Sequence, residues 1–151
     1  MLESLRKYEA APFYSYRHSV GLAETNVVGN VYFSHFLAWQ GRCREMFLRD
    51  HAPDVLAALA GSLRLITLRC GCQYFAELTA LEEVEIRLML RGVQQNRIAM
   101  EFDYFAVRSE KRVLAARGEQ EIACMQLEAG GLRPCAVPAS LIAALQAYRV
   151  V

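Results

Sequence analysis

The hydrophobic period of this chain changes once, from helical spacing to strict alternation, and that change admits few folds. Residues 32–50 predict a long helix. Tyr32, Phe36, Trp39, Cys43, Met46 and Phe47 form one stripe, and Phe33, Leu37, Gly41, Arg44 and Leu48 form a narrower one. Apolar residues around so much of the circumference predict that the helix is mostly buried. The rest reads largely as strand. Ile66, Leu68, Cys70, Cys72, Tyr74 and Ala76 share one face of residues 64–76. Val84, Ile86, Leu88 and Leu90 alternate with Glu85, Arg87, Met89 and Arg91, and Ile98, Met100, Phe102, Tyr104 and Ala106 follow suit. Residues 113–127 predict a last long strand, interrupted at Gly118.

Ahead of the helix, residues 13–20 read as a first strand and residues 21–30 as a loop. Pro53 and Pro138 stand near the starts of two short predicted helices, 53–59 and 138–148. Turn-prone stretches at 92–96, 109–111 and 129–131 are of hairpin length, so most of the later strands pair antiparallel. A strongly twisted antiparallel sheet can wrap one apolar helix on its inner face. The expected fold is therefore α+β, a hotdog arrangement, with one domain over residues 1–151.

Composition narrows the function classes. With 54% hydrophobic and 22% charged residues, the chain is neither disordered nor a charged tail. A net charge of +1 gives no reason to expect nucleic acid or a membrane surface as partner. The apolar runs fall far short of the ~20 residues a spanning helix needs. Glu3, Arg6, Lys7 and Glu9 interrupt any apolar leader in residues 1–11, so the expected location is the cytoplasm. Five cysteines, an odd count, argue against a disulfide framework. Cys70 and Cys72 lack a second pair or a histidine to complete a zinc set, so no metal and no cofactor is expected, and the cysteines read as small core residues. No Gly-rich phosphate loop, dinucleotide fingerprint or G-x-S-x-G elbow is present. His18, His35 and His51 have no evident partner set for a triad and read as surface or interface residues.

The loop leading into the long helix, Glu24-Thr25-Asn26-Val27-Val28-Gly29-Asn30-Val31-Tyr32-Phe33, suits acyl transfer. The first N–H groups of a helix lack intrahelical partners, and the helix dipole makes that end positive. A thioester carbonyl placed there is polarised, and the oxyanion of the tetrahedral intermediate is stabilised as it forms. Gly29 lets backbone come close to a substrate. The plainer alternative is that Asn26 and Gly29 only cap the helix and shape a turn.

The stretch from Tyr16 to Phe47 resembles the 4-hydroxybenzoyl-CoA-thioesterase-like branch of the hotdog superfamily. In that branch, a first strand leads to a D-x-D pair, a small residue, a glycine and a helix opening with Val and aromatics. An arginine follows further along the helix. Here Glu24-Thr25-Asn26 stands at the acidic pair and Arg44 at the arginine. Cys72-Gln73-Tyr74-Phe75, Ala116-Arg117-Gly118-Glu119-Gln120 and the proline-containing tail from Leu132 to Pro138 match later motifs, so the resemblance covers nearly the whole chain. The chain departs from the branch at its catalytic carboxylate, which is Asn26 here. An amide can neither attack as a carboxylate does nor take up a proton at neutral pH. Other relatives place the acidic residue in the long helix, but around Gly41 none faces the same way. With Asn at this position, the run from Gly29 to Glu45 looks like the thioesterases associated with enediyne polyketide synthases.

That resemblance implies a hydrolase acting on a long β-keto polyene thioester held on the acyl carrier protein of a polyketide synthase. Release gives a β-keto acid that can lose carbon dioxide. It also implies a homodimer with two shared sites, often a homotetramer. Asn26 would orient the attacking water or hold the thioester carbonyl, and the N–H groups near Tyr32 and Phe33 would form the oxyanion hole. Arg44, a charge on an apolar helix, would hold the β-keto oxygen or form a structural ion pair, with Glu24 as one partner. Glu24 would contact substrate, stand in as base, or be an exposed loop carboxylate. Gly29 and Tyr74 would border the substrate. Arg64, Arg69, Arg87, Arg91 and Arg97 would receive an acidic carrier or be solvated strand faces. Competing readings are a general acyl-CoA thioesterase and a non-catalytic acyl-binding hotdog protein. A dehydratase fits less well, because it needs a histidine with an acidic partner.

Overall fold

The computed structural model describes residues 12–150; the stretch read above for a leader lies outside them. Strand β1 (Tyr14–Ser19) precedes a 3-10 turn (Leu22–Glu24) and helix α1 (Ser34–His51). Helix α2 (Pro53–Ala58), strands β2 (Leu63–Tyr74), β3 (Glu83–Gln94), β4 (Arg97–Arg108), β5 (Lys111–Glu128) and β6 (Gly131–Pro134), and helix α3 (Ala139–Gln146) follow. The strands form one antiparallel sheet in the order β1-β3-β4-β5-β2, with β6 pairing the end of β5. β3, β4 and β5 are joined by the expected hairpins, while β2 crosses to the far edge.

Alternation places the core. Val84, Ile86, Leu88 and Leu90 of β3, and Ile98, Phe102, Tyr104 and Ala106 of β4, are fully buried beneath α1. From the helix, Phe36, Trp39, Cys43 and Phe47 meet them. Burying a side chain of this size stabilises by ~1.5–3 kcal/mol, so this layer dominates the fold. The Tyr104 hydroxyl, buried with it, donates to the Phe36 carbonyl at 2.7 Å.

Several expectations are corrected. Helix α1 begins at Ser34, because the Tyr32 N–H is already held by the Glu24 carbonyl at 3.0 Å. Tyr32 and Phe33 therefore stand before the helix and remain half exposed, and only one stripe of α1 is buried rather than most of its circumference. A bulge between Thr67 and Arg69 shifts the register of β2 against β5. Leu63 and Leu65 face the core before it and Cys72 after it, while Leu68 is exposed, so the single apolar face expected over residues 64–76 does not exist. Gly118 does not interrupt β5. It lies inside the continuous strand, where a Cβ would stand 2.2 Å from the Gln40 amide nitrogen, so its bare backbone is what lets α1 settle on the sheet.

The outer sheet face carries carboxylate–arginine pairs. Arg69 and Arg97 share Glu121, Arg91 lies between Glu101 and Glu119, and Arg87 pairs with Glu85. Arg64 donates to the carbonyls of Leu59, Gly61 and Leu63. Each of the five arginines considered for carrier docking thus has a partner within the chain, with Arg69, Arg91 and Arg97 still largely exposed. Among the described residues, no helix is long and apolar enough to cross a membrane.

Candidate active site

The loop before α1 is closed by its own hydrogen bonds. Asn26 N–H donates to the Asn30 carbonyl at 2.8 Å, and Gly29 N–H donates to the Asn26 carbonyl at 3.0 Å. The Asn26 side-chain oxygen accepts from the N–H groups of Val28 (3.0 Å) and Asn30 (3.2 Å). Gly29 has φ +89°, which an L side chain rarely adopts, so glycine here serves the turn. Asn26 is therefore the staple of its loop. Its oxygen is occupied, and its amide N–H groups are the atoms left for another molecule.

Glu24 is the hub that fixes this loop. One carboxylate oxygen accepts from His18 (2.7 Å) and the Gly21 N–H (2.9 Å), and the other from the Trp39 indole (2.7 Å). It is neither an exposed loop carboxylate nor, within the chain, the partner of Arg44. His18, read as a surface residue without a partner, is paired with it, and the Trp39 ring lies 4.9 Å from the imidazole. His51 likewise meets the Tyr148 hydroxyl at 3.2 Å. Burial opposes ionisation of Glu24, but the bonds from Gly21, His18 and Trp39 outweigh it and hold its carboxyl below the usual range. A depressed folded value stabilises the fold above the ordinary carboxyl pKa of about 4.3 and loses that contribution as pH falls through the depressed value. Glu24→Gln is thus expected to lower the thermal midpoint at pH 7, and the gap to the parent to narrow as the pH falls below about 4.3. Melting curves on either side of that pH check this. An equal gap on both sides would show that the charge is not what holds the loop.

Asn26, Asn30, Tyr32, Phe33, Phe36, Tyr74, Glu77 and Leu78 line a cleft of about 330 Å³ beside the helix start. The Tyr74 hydroxyl donates to the Phe33 carbonyl at 2.9 Å, and its ring packs edge-on against Phe36 at 5.0 Å. Burial pushes the Tyr74 phenol up to about 12, so it stays protonated as a donor. The Tyr32 and Phe33 rings lie against each other, tilted, with centroids 4.5 Å apart. Of the two N–H groups expected in an oxyanion hole, that of Tyr32 is spent on Glu24. Those of Phe33 and Ser34 have no hydrogen-bond partner among the described residues, and Ser34 was not foreseen. Glu77 was also missed. Its carboxylate is in no hydrogen bond or ion pair among the described residues, and its place on the link after β2 gave no spacing to single it out.

Arg44 lies eleven residues beyond Phe33 on α1, about 16 Å along the axis at ~1.5 Å per residue. One protomer does not bring it to the cleft. Its guanidinium donates to the Gln120 side-chain oxygen at 2.9 Å and to the Thr67 hydroxyl at 3.4 Å. Among the described residues no carboxylate lies in ion-pair contact with it, and burial lowers its affinity for its own proton. Arg44, Gln120 and Thr67 lie along β2, whose outer edge carries no strand. No group of three or more His, Cys, Asp or Glu side chains suited to a metal occurs among the described residues.

A family model described as the thioesterase-like superfamily matches residues 20–145. The chain is similar to the dynemicin thioesterase, with 51% identity, a TM-score of 0.90 and coverage of 93% of this chain and 99% of that one. Crystal structures of that protein reveal induced-fit and allosteric effects upon polyene binding. It is also similar to a 1,4-dihydroxy-2-naphthoyl-CoA thioesterase from Synechocystis, at 20% identity, TM-score 0.74 and coverage of 89% and 96%. Against 4-hydroxybenzoyl-CoA thioesterase from Pseudomonas sp. strain CBS-3 the values are 11%, 0.77, 89% and 99%. The last two likenesses show the shared fold. No curated protein matches the chain.

Proposed function

Because the chain belongs to the thioesterase-like superfamily and is a thioester hydrolase, we propose that it releases a β-keto polyene chain from the acyl carrier protein of an enediyne-type polyketide synthase. The observation that carries this reading is the 51% identity to a thioesterase whose crystal structures concern polyene binding. The aromatic-walled cleft at the start of α1 supports it, since apolar walls with few polar groups suit a conjugated chain.

In the proposed reaction, the thioester carbonyl oxygen points at the N–H groups of Phe33 and Ser34, with the Asn26 amide N–H beside them. Water attacks the carbonyl carbon, and negative charge moves to that oxygen, where the helix start stabilises it. With its side-chain oxygen occupied, Asn26 acts as a donor to the carbonyl rather than as an acceptor from water. Glu77 takes the proton from the water. The oxyanion then re-forms the carbonyl as the carbon–sulfur bond breaks, and the leaving thiolate takes the proton held by Glu77, which restores the carboxylate. Arg44 of a second copy, brought in along the open edge of β2, holds the β-keto oxygen. This makes the working unit a homodimer or a homotetramer of one-domain chains. The electron-withdrawing keto group makes such a thioester more electrophilic than a simple acyl thioester.

The test compares a 3-oxoacyl chain on carrier protein with the same chain on coenzyme A, for the parent and for Glu77→Gln. The parent is expected to favour the carrier substrate by at least tenfold in kcat/KM, and Glu77→Gln to lower kcat by about 10²-fold or more. Equal rates on both substrates would make it a general acyl-CoA thioesterase. Tight binding with no hydrolysis of either would make it an acyl-binding protein.

A further inference from the structure

We infer that Gln120 is a positioning residue that holds Arg44 in place while leaving its charge unneutralised for the substrate. The inference rests on the reading of Arg44 as the group that meets the β-keto oxygen. Arg69, Arg87, Arg91, Arg97 and Arg112 on the strands all meet carboxylates, as do Arg17, Arg108 and Arg117. Arg64 and Arg44 differ from these. Arg64 is held by the backbone carbonyls of Leu59, Gly61 and Leu63, whereas Arg44 sits half-buried on the helix and its anchors are the neutral side-chain oxygens of Gln120 and Thr67.

Chemistry makes that difference meaningful. Taking a guanidinium partly out of water costs free energy, and the usual remedy is a carboxylate. A carboxylate would also cancel the positive potential. An amide oxygen fixes one N–H by a charge-assisted hydrogen bond and leaves the net charge at +1, with the remaining donors of the planar fork available. Gln120 is itself well placed to be rigid. It is 6% exposed and sits in mid-strand between Cys70 of β2 and Met100 of β4. A ligand oxygen bearing partial negative charge, such as the keto oxygen of a 3-oxoacyl chain or its enolate, completes the arrangement.

Gln120→Glu separates this role from a purely structural one, because an ion pair would serve the structure as well or better while silencing the cation. It is expected to melt at or above the parent temperature, yet to lose at least tenfold in kcat/KM on the 3-oxoacyl-carrier substrate. Its Kd for a non-hydrolysable 3-oxoacyl thioether, which keeps the keto oxygen, should rise by a similar factor. In an Arg44→Ala background the same change is expected to have no effect. Wild-type kcat/KM and Kd in Gln120→Glu, or an equal loss in both backgrounds, would overturn the inference. If that variant does not fold, Gln120→Met decides. It keeps the volume and removes the acceptor, so a rise in Kd of threefold or more supports the role and an unchanged Kd ends it. Arg44→Ala run alongside keeps the two ideas apart. Full activity and binding there would refute the role of Arg44 itself, whereas loss there with none in the Gln120 variants would refute only the positioning. The thioether reading also holds if no substrate is turned over.

Discussion

Replacing Gly118 with alanine is expected to lower the unfolding free energy by about 2–4 kcal/mol, through overpacking and a broken buried hydrogen bond. For a chain of this size that lowers Tm by roughly 5–15 °C. The added Cβ would stand 2.2 Å from the Gln40 amide nitrogen and 3.2 Å from the Tyr104 ring. Gln40 is fully buried, and its amide donates to the Gly71 carbonyl at 2.9 Å while its oxygen has no partner among the described residues. To make room, the amide must turn away, leaving the partly buried Gly71 carbonyl without its donor. A double-mutant cycle isolates the cause. With Gln40→Ala already in place the methyl group has space, so adding Gly118→Ala should cost at least ~1 kcal/mol less than it does in the parent. Thermal or urea unfolding of the four proteins measures this. Equal costs in both backgrounds would place the clash elsewhere, at Tyr104.

The Gly118 contact shows which parts of the fold the sequence carried and which it did not. The inner faces of β3 and β4 were legible because alternation depends only on neighbours in the chain, and Val84, Ile86, Leu88 and Leu90 are buried as that rule requires, whereas the burial of Glu85 and Met89 on the other face has no such local sign. Gly118 was visible as an oddity in a strand, but its meaning lies in Gln40, 78 residues earlier, and pairing at that distance has no local signature. The bulge at Thr67 and Arg69 reversed the facing of β2 for the same reason: bulges are set by strand pairing, not by composition. At the candidate site, the local motif pointed to Asn26 and the helix start, which the structure brings to one cleft. What the local pattern did not show was the partners of Glu24 and Arg44, which are remote in the chain and are not each other. Glu24 is claimed by His18 and by Trp39, fifteen residues on, and Arg44 by Gln120, 76 residues on.

Phe33→Pro is expected to lower kcat by 10²–10³-fold, the usual effect of deleting one oxyanion-hole donor and equivalent to about 2.7–4 kcal/mol of transition-state stabilisation. The substitution suits the backbone. Phe33 has φ −54°, within the range proline imposes, and its N–H has no intramolecular partner to lose among the described residues. Proline is favoured at helix starts, and Tyr32 stands outside the helix, so the restriction on the residue before proline does not fall on helical backbone. The Phe33 carbonyl, which receives the Tyr74 hydroxyl, is retained. The lost ring is a separate matter, because Phe33 also lines the cleft and packs against Tyr32. Phe33→Ala removes the ring and keeps the N–H, and it is expected to raise KM with little change in kcat. The difference in kcat between the two variants, measured on a 3-oxoacyl thioester with folding checked by circular dichroism, reports the N–H alone. If the two variants share the same kcat, the Phe33 N–H does not meet the oxyanion. The charge would then rest on Ser34 N–H and the Asn26 amide, and Asn26→Ala would become the more damaging change.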